Sequence, residues 1–157
     1  MLQLTLLRHA KSSWDHPGLD DFLRPLNGRG YRQGENLSEH FPLDIDVIWC
    51  SPSVRTYTTA QCLIQDRPEL QDKLVLVDSV YEASTEDLLH ALRSGCDFKH
   101  IAMIGHNPGI ELLASHLCGQ TITFKTAHRA LLNINSESWK SISYGNAELV
   151  SIWRPEV

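Results

Sequence analysis

The sequence predicts an α/β fold whose parallel or mixed sheet is covered by helices on both faces. Two observations predict this fold class: short apolar runs recur along the chain, and segments with helical periodicity separate them. A chain of 157 residues fits one domain, 1–157, and no repeat, low-complexity tract or linker divides it. In sheets of this kind, ligands bind beyond the carboxyl ends of the strands.

Six strands are predicted from the apolar runs. Four of them alternate with helices. The last two lie in a tail with more alternating polarity, which indicates a partly antiparallel region. The predicted strands are 2–7, 45–50, 73–77, 100–104, 130–134 and 147–153.

Four helices are predicted between these strands. Ser51-Pro52 and Asn107-Pro108 each have an N-cap residue followed by a proline suited to the first helical position. Ser84-Thr85-Glu86-Asp87 resembles a capping box. The predicted helices are 30–40, 52–65, one opening at 84, and 108–118. A polar loop, 11–27, precedes the first, and loops of this length are often functional.

Charge and hydropathy exclude several classes of protein. The 14 Lys and Arg residues face 19 Asp and Glu residues, a formal charge of −5, which argues against a nucleic-acid partner. One small anion in a locally basic pocket remains compatible with this balance. No apolar stretch approaches the ~18 residues that span a bilayer, and no signal-peptide pattern precedes the first strand. We therefore expect a cytoplasmic protein without a membrane partner.

The cysteines predict neither a metal site nor a disulfide framework. No two of them form a C-x-x-C pair, and none lies at zinc-ligand spacing from a histidine. Each lies in or beside an apolar run, so we expect free, mostly buried thiols in a reducing compartment. They are Cys50, Cys62, Cys96 and Cys118.

Residues that suit an anion follow the first four predicted strands. Parallel packing would bring these four turns together at one edge of the sheet. Two arginines, two histidines and one glutamate match a core poorly and an anion site well. They are Arg8 and His9, then Arg55, then Glu82, and finally His106.

Phosphoryl transfer fits these residue types. Its transition state spreads negative charge over three equatorial oxygens, so positioning and electrostatics dominate catalysis. Arg8 and Arg55 offer planar forks of donors, and helix N-termini near Pro52 and Pro108 add free N–H groups. A neutral imidazole can attack phosphorus and hold the phosphoryl group covalently, while a second imidazole donates to a phosphate oxygen.

Four runs within residues 1–118 carry a family resemblance. They are Leu7-Arg8-His9-Ala10, Arg24-Pro25-Leu26 with Gly28-Arg29-Gly30, Ser51-Pro52-Ser53-Val54-Arg55, and Gly105-His106-Asn107-Pro108. In this order they resemble the histidine phosphatase superfamily, which includes phosphoglycerate mutases and acid phosphatases, and within it the short SixA-type phosphohistidine phosphatases.

The resemblance implies a phosphoglycerate mutase-like fold, a three-layer αβα sandwich with a mostly parallel mixed sheet. It implies His9 as the nucleophile, with Arg8, Arg55 and His106 around the phosphate. It also implies that catalysis needs no metal ion and no organic cofactor.

The leaving group decides the substrate class. An ester leaves as an alkoxide and generally needs a general acid, for which Glu82 is the first candidate and Asp21 the second. Phosphohistidine leaves as an imidazole and needs less help, and the short loop 77–85 offers no lid for a small sugar phosphate. We therefore expect a phosphohistidine protein as the substrate. Arg24 is a secondary anion contact or a salt-bridge partner of Asp21, and Asn107 is a further substrate-binding candidate.

Two alternatives use the same residues. One is a small-molecule phosphomonoesterase. The other is a module that binds phosphate or a phosphoprotein without turnover, against which the presence of all four core residues weighs. A mutase is less favoured, because the chain lacks the length that such members use to retain a product.

Overall fold

The structure, a computed structural model, describes residues 1–95 and 97–157. Within this part of the chain, six strands form one sheet: β1 (Leu2–Arg8), β2 (Val47–Cys50), β3 (Leu74–Leu76), β4 (His100–Gly105), β5 (Arg129–Ile134) and β6 (Ala147–Trp153). Their order is β3-β2-β4-β1-β5-β6. The first four strands pair in parallel, whereas β5 runs antiparallel to β1 and to β6. The α/β fold class and the antiparallel tail are thereby confirmed.

Helices cover both faces of this sheet: α1 (Gly28–Gly34), α2 (Val54–Asp66), α3 (Thr85–Arg93) and α4 (Gly109–Cys118). Side chains alternate between the faces along each strand. In β1, for example, Leu4 and Leu6 belong to a core with α3 and α4. Leu7 belongs to the opposite core, which contains residues of α2. The three-layer arrangement follows from these two cores.

The first helix differs from its prediction. It was expected over 30–40, but α1 begins at Gly28 because the Asn27 side chain caps it by accepting from the Gly30 amide. It ends at Gly34, and a short 3-10 helix, Leu37–His40, follows. The three glycines of this helix explain its shortness, since glycine lowers helix stability by about 1 kcal/mol relative to alanine.

The predicted starts of two helices are one or two residues too early. Ser53 is the N-cap of α2 rather than Ser51, and α4 begins at Gly109 after Pro108. The reason is the same in both cases: the side chains of Ser51 and Asn107 make other hydrogen bonds, described below. The capping box of α3 is confirmed, with Ser84 and Asp87 bonded reciprocally.

Three of the cysteines are free thiols, as expected. Cys50 is buried, and Cys62 and Cys118 are half-buried. Burial raises the pKa of Cys50 to about 12, so this thiol is not ionised at neutral pH. Cys96 lies outside the described residues. In the described part of the chain, no helix combines the length and the apolarity needed to cross a membrane.

Gly30 fits where a larger residue does not, because α1 packs directly against the chain that leaves the β1 end. A Cβ at Gly30 would clash with the Lys11 carbonyl oxygen, whereas one at Gly28 would meet only an Arg32 side-chain atom at 3.5 Å. We expect Gly30→Ala to lower the free energy of unfolding by about 1–3 kcal/mol. Urea unfolding measures this, with Gly28→Ala as the matched control, and equal stabilities of the two variants would contradict it.

Candidate active site

A cleft of about 300 Å³ lies at the carboxyl ends of the parallel strands. We call it the active-site cleft. Its lining includes all eight residues that the sequence predicted: Arg8, His9, Asp21, Arg24, Arg55, Glu82, His106 and Asn107. Four further lining residues were not predicted, namely Lys11, Ser12, Trp14 and Thr126.

His9 lies directly after β1 with its backbone fixed against β4. Its amide donates to the Gly105 carbonyl at 3.1 Å, and the residue is only 6% exposed. His9 Nδ1 lies 2.7 Å from the Ala10 carbonyl oxygen. A carbonyl only accepts, so Nδ1 carries the proton and Nε2 keeps its lone pair. Burial, followed by the charges of neighbouring groups, lowers the pKa of His9 to about 3, so the ring is neutral at neutral pH.

His106 follows β4 and faces His9 across the cleft, with the ring centroids 5.3 Å apart. Its Nδ1 lies 3.3 Å from Arg55 Nη2, which can only donate, so Nε2 carries the proton and donates to Ser51 Oγ at 2.7 Å. Burial and the Arg55 charge lower the pKa of His106 to about 4. This ring would donate to a phosphate oxygen only after Nδ1 takes up a proton, which a nearby dianion favours.

Arginine side chains concentrate positive charge in this cleft. Arg55, on the first turn of α2, is 5% exposed, and Arg8 Nη1 donates to the Phe124 carbonyl at 3.1 Å. The Nε atoms of Arg8, Arg24 and Arg55 are buried, and none has a hydrogen-bond partner among the described residues. The positive charge of these three guanidinium groups would attract an anion into the cleft.

Asp21 provides the negative charge that balances part of this cluster. Its Oδ2 accepts from Arg55 Nη2 at 2.9 Å and from the Tyr81 hydroxyl at 2.7 Å. Its backbone carbonyl accepts from Arg55 Nη1 at 2.7 Å. Burial alone would raise the pKa of Asp21, but the hydrogen bonds from Tyr81 and Arg55 outweigh it and lower the pKa to about 2. Asp21 is therefore ionised at neutral pH, which does not suit a general acid.

The position of Arg24 is compatible with both of its predicted roles, a salt bridge with Asp21 and a contact with an anion in the cleft. It forms a salt bridge with Asp21 at 3.3 Å, and it also lines the cleft. Its Nη1 donates to the Ser12 hydroxyl, and its guanidinium lies 3.8 Å above the Trp14 ring, within cation–π range. The Ser13 amide donates to the Pro25 carbonyl at 2.8 Å and so joins the two ends of the loop that contains Arg24. This closure fixes Asp21 and Arg24 beside the strand ends.

Asn107 anchors one wall of the cleft. Its Nδ2 donates to the Phe124 carbonyl at 2.8 Å, the same oxygen that accepts from Arg8. The Phe124 amide donates to Glu111 Oε2 at 2.9 Å, which ties this turn to α4. Asn107 Oδ1 is buried and has no partner within the described ranges.

Glu82 lies at the rim of the cleft and is exposed, after a short 3-10 helix, Asp78–Val80, that follows β3. Its φ of 53° is in the left-handed region, which is unusual for a glutamate. No hydrogen bond fixes its carboxylate to any other described residue. The structure thus brings Glu82 to the cleft without holding it as firmly as the arginines.

Several residues that shape this site are not predicted by the sequence pattern. Ser51 was interpreted as an N-cap, yet its hydroxyl orients His106. Trp14 and Ser12 lie in the loop 11–27, whose length was the available signal. Thr126 lies in the tail, where the sequence predicts only strands. Nothing in the residue pattern there indicates that Thr126 lines the cleft. Within the described chain, no three His, Cys, Asp or Glu side chains cluster to hold a metal ion.

The neutral, buried histidines make stability depend on pH. We expect the free energy of unfolding to fall as the pH drops from about 6.5 toward about 4. The pKa values of His9 and His106, about 3 and about 4 in the fold against 6.5, mean that the unfolded chain binds protons that the native state excludes in this interval. Urea unfolding at several pH values checks this. His106→Asn should show a shallower fall than an exposed control, His90→Asn, and identical slopes would contradict it.

Residues 4–78 match the sequence profile of the histidine phosphatase superfamily, branch 1. The chain is 31% identical over 153 residues to an uncharacterized chloroplastic protein of Arabidopsis thaliana, covering 88% of this chain and 69% of that protein. It is also 41% identical over 63 residues to phosphoserine phosphatase 1 of Hydrogenobacter thermophilus, covering 38% of this chain and 30% of that protein.

The fold is similar to those of solved SixA proteins. The SixA structure from Agrobacterium tumefaciens superposes with a TM-score of 0.82 at 24% identity, covering 98% of both chains. A protein histidine phosphatase SixA complexed with tungstate superposes with a TM-score of 0.76 at 19% identity, covering 96% of both chains. At these identities the likeness concerns the fold. The predicted phosphoglycerate mutase-like architecture is confirmed by it.

Proposed function

The chain belongs to the histidine phosphatase superfamily, and on that premise we propose that it hydrolyses phosphohistidine on a protein through a phosphoryl intermediate on His9. In this mechanism, His9 Nε2 attacks phosphorus, and the P–N bond to the substrate histidine breaks. The electron pair of that bond stays on the substrate ring, whose other nitrogen carries a proton, so the ring leaves as a neutral imidazole. Water then attacks the phosphoryl group on His9, which releases phosphate and regenerates the neutral ring.

One observation carries the proposal: the tautomer and the environment of His9. The Ala10 carbonyl holds the proton on Nδ1, so the lone pair is on Nε2 of a ring that lines an arginine-rich cleft. The lowered pKa keeps this ring neutral, which direct attack requires. The guanidinium groups of Arg8 and Arg55 would stabilise the charge that develops on the phosphoryl oxygens.

The carboxylates of the cleft favour a substrate with a good leaving group. Asp21 and Glu82 are the carboxylates among the lining residues. Asp21 is ionised and paired with Arg55, and Glu82 is exposed. An alkoxide would depend on a general acid, whereas the imidazole of phosphohistidine depends on it less. This supports phosphohistidine as the substrate.

The experiment that tests this function traps the intermediate. Enzyme mixed with a phosphohistidine peptide in EDTA is quenched in alkali, which preserves phosphohistidine, and mass spectrometry locates the phosphoryl group. We expect it on His9, together with phosphate release that EDTA does not reduce. Peptide or phosphate binding without any phosphoenzyme and without turnover would favour the non-enzymatic module and refute the proposal.

Glu82 favours a second candidate, a small-molecule phosphomonoesterase, because a rim carboxyl could protonate an alkoxide. If esters are the substrates, Glu82→Gln should lower their kcat about a hundredfold or more. For a phosphohistidine peptide we expect less than about a threefold change. Glu86→Gln, a nearby exposed residue outside the cleft lining, is the matched control. A tenfold or greater preference of the wild type for one ester over the phosphohistidine peptide would displace the protein substrate.

A further inference from the structure

A second cleft, of about 470 Å³, lies beside the active-site cleft. We call it the basic cleft, after the four side chains Arg29, Lys125, His128 and Arg154 that contribute to its lining. Thr126 lines both clefts. Gln33 Nε2 donates to Thr126 Oγ1 at 3.1 Å, so this pair forms part of the wall between them. The proposed chemistry uses no group of the basic cleft.

The basic cleft concentrates unpaired positive charge on an acidic protein. Arg29 comes from α1, Lys125 from the turn before β5, and Arg154 follows β6. Among the described ion pairs, none involves these three side chains. The acidic side chain in the lining is Glu156 alone. Since the chain carries a formal charge of −5, an acidic ligand would be repelled by most of the surface and attracted here.

The electrostatics of His128 agree with this description. Burial, followed by the charges of Arg154, Lys125 and Arg8, lowers the pKa of His128. This histidine is therefore neutral at neutral pH, and Arg29, Lys125 and Arg154 are the positively charged groups of the lining. Charges from the basic cleft and from the active-site cleft thus act on the same ring, which shows how close the two clefts are.

Backbone hydrogen bonds fix the position of the basic cleft relative to the nucleophile. The Ala127 amide donates to the carbonyls of Arg8 at 3.1 Å and of His9 at 3.0 Å. The Arg8 amide donates to the His128 carbonyl at 3.2 Å. The turn that carries Lys125 is therefore attached to the end of β1. A ligand group in the basic cleft would be at a defined separation from a phosphoryl group at His9.

We propose that the basic cleft binds an acidic segment of the protein substrate, adjacent to the phosphohistidine that enters the active-site cleft. The inference rests on the proposed function and deepens it by naming a property of the substrate. A protein segment fits better than a small molecule, because the three cations come from separate elements around a cleft larger than the active-site cleft. Carboxylates spaced along a chain would contact several of them at once.

Two phosphohistidine peptides test this proposal. They differ only in the residues next to the phosphohistidine, which are Asp in one and Asn in the other. We expect kcat/KM of the wild type to be about five- to tenfold higher for the Asp peptide, decreasing toward equality at high salt. In the double variant Lys125→Gln/Arg154→Gln the two peptides should be hydrolysed equally, with kcat/KM for the Asn peptide unchanged.

The matched control removes the same charge elsewhere. Lys99→Gln/Lys140→Gln alters two exposed lysines outside the lining of both clefts and should retain the preference. Equal hydrolysis of the two peptides by the wild type would overturn the proposal, as would a preference that survives in Lys125→Gln/Arg154→Gln. The proposal would also be overturned if the wild type hydrolysed both peptides equally but preferred a small bisphosphate, and if that preference depended on Lys125 and Arg154.

Failure of the proposed function would look different. In that case the wild type hydrolyses neither peptide. Fluorescence anisotropy with the unphosphorylated Asp and Asn peptides then still measures peptide binding to the basic cleft. Stronger binding of the Asp peptide, lost in Lys125→Gln/Arg154→Gln, would support the acidic-segment proposal without any turnover, and equal binding would refute it.

Discussion

A His9→Ala variant should release phosphate from a phosphohistidine peptide at least about a thousandfold more slowly than the wild type. The substitution removes the lone pair that attacks phosphorus, while the arginines of the cleft stay in place. Their charges would still hold the phosphoryl group, so we expect the loss in kcat rather than in affinity. Single-turnover phosphate release measures the rate, and calorimetry with inorganic tungstate as a phosphate mimic measures binding.

A second variant separates chemistry from folding. In His9→Asn, the side-chain amide can still donate to the Ala10 carbonyl, as His9 Nδ1 does. This variant should keep the wild-type unfolding midpoint within a few degrees and bind tungstate within about tenfold, yet form no phosphoenzyme. Phosphate release at near wild-type rate in either variant would mean that water attacks the substrate directly and that His9 is not the nucleophile.

The sheet could be predicted from the sequence because its signal is local. A buried strand such as β4, with all six residues buried, is a nearly continuous apolar run after His100. One geometric rule, that parallel strands end at the same edge, then places the residues that follow each strand. This rule needs only the positions of the parallel strands in the sequence. The sequence alone therefore predicts that Arg8, His9, Arg55 and His106 lie at one site.

The parts that the sequence did not predict depend on contacts between distant segments. Ser51 and Asn107 have the residue types of N-caps, but tertiary hydrogen bonds to His106 and to the Phe124 carbonyl outweigh capping. Thr126 reaches the cleft because the Ala127 amide bonds to the β1 end, more than a hundred residues earlier in the chain. No local periodicity encodes such a pairing. The same holds for Asp21, whose ionised state depends on Tyr81 and Arg55.

Replacing Arg55 should have the second largest effect on catalysis. We expect Arg55→Ala to lower kcat/KM about a thousandfold and Arg55→Lys about a hundredfold, because lysine keeps the charge but not the planar fork. The structure shows why the fork matters: Nη1 and Nη2 reach the carbonyl and carboxylate of Asp21, and Nη2 also reaches His106 Nδ1. One guanidinium thus positions the loop and the second histidine, and the same group would contact a bound phosphate.

If Arg55 acted only through overall folding, the titration of His106 in the folded variant would stay unchanged, so that titration shows whether the Arg55 charge acts within the cleft. The Arg55 charge lowers the pKa of His106, and its removal should raise that pKa in an NMR titration of Arg55→Ala, with a smaller rise in Arg55→Lys. Arg67→Lys is the matched control, since Arg67 is a buried arginine that donates to the carbonyls of Phe41 and Pro42. It should lose stability while keeping kcat/KM. If Arg67→Lys and Arg55→Lys lost kcat/KM to the same extent, the effect would come from weakened folding rather than from the lost contact with phosphate.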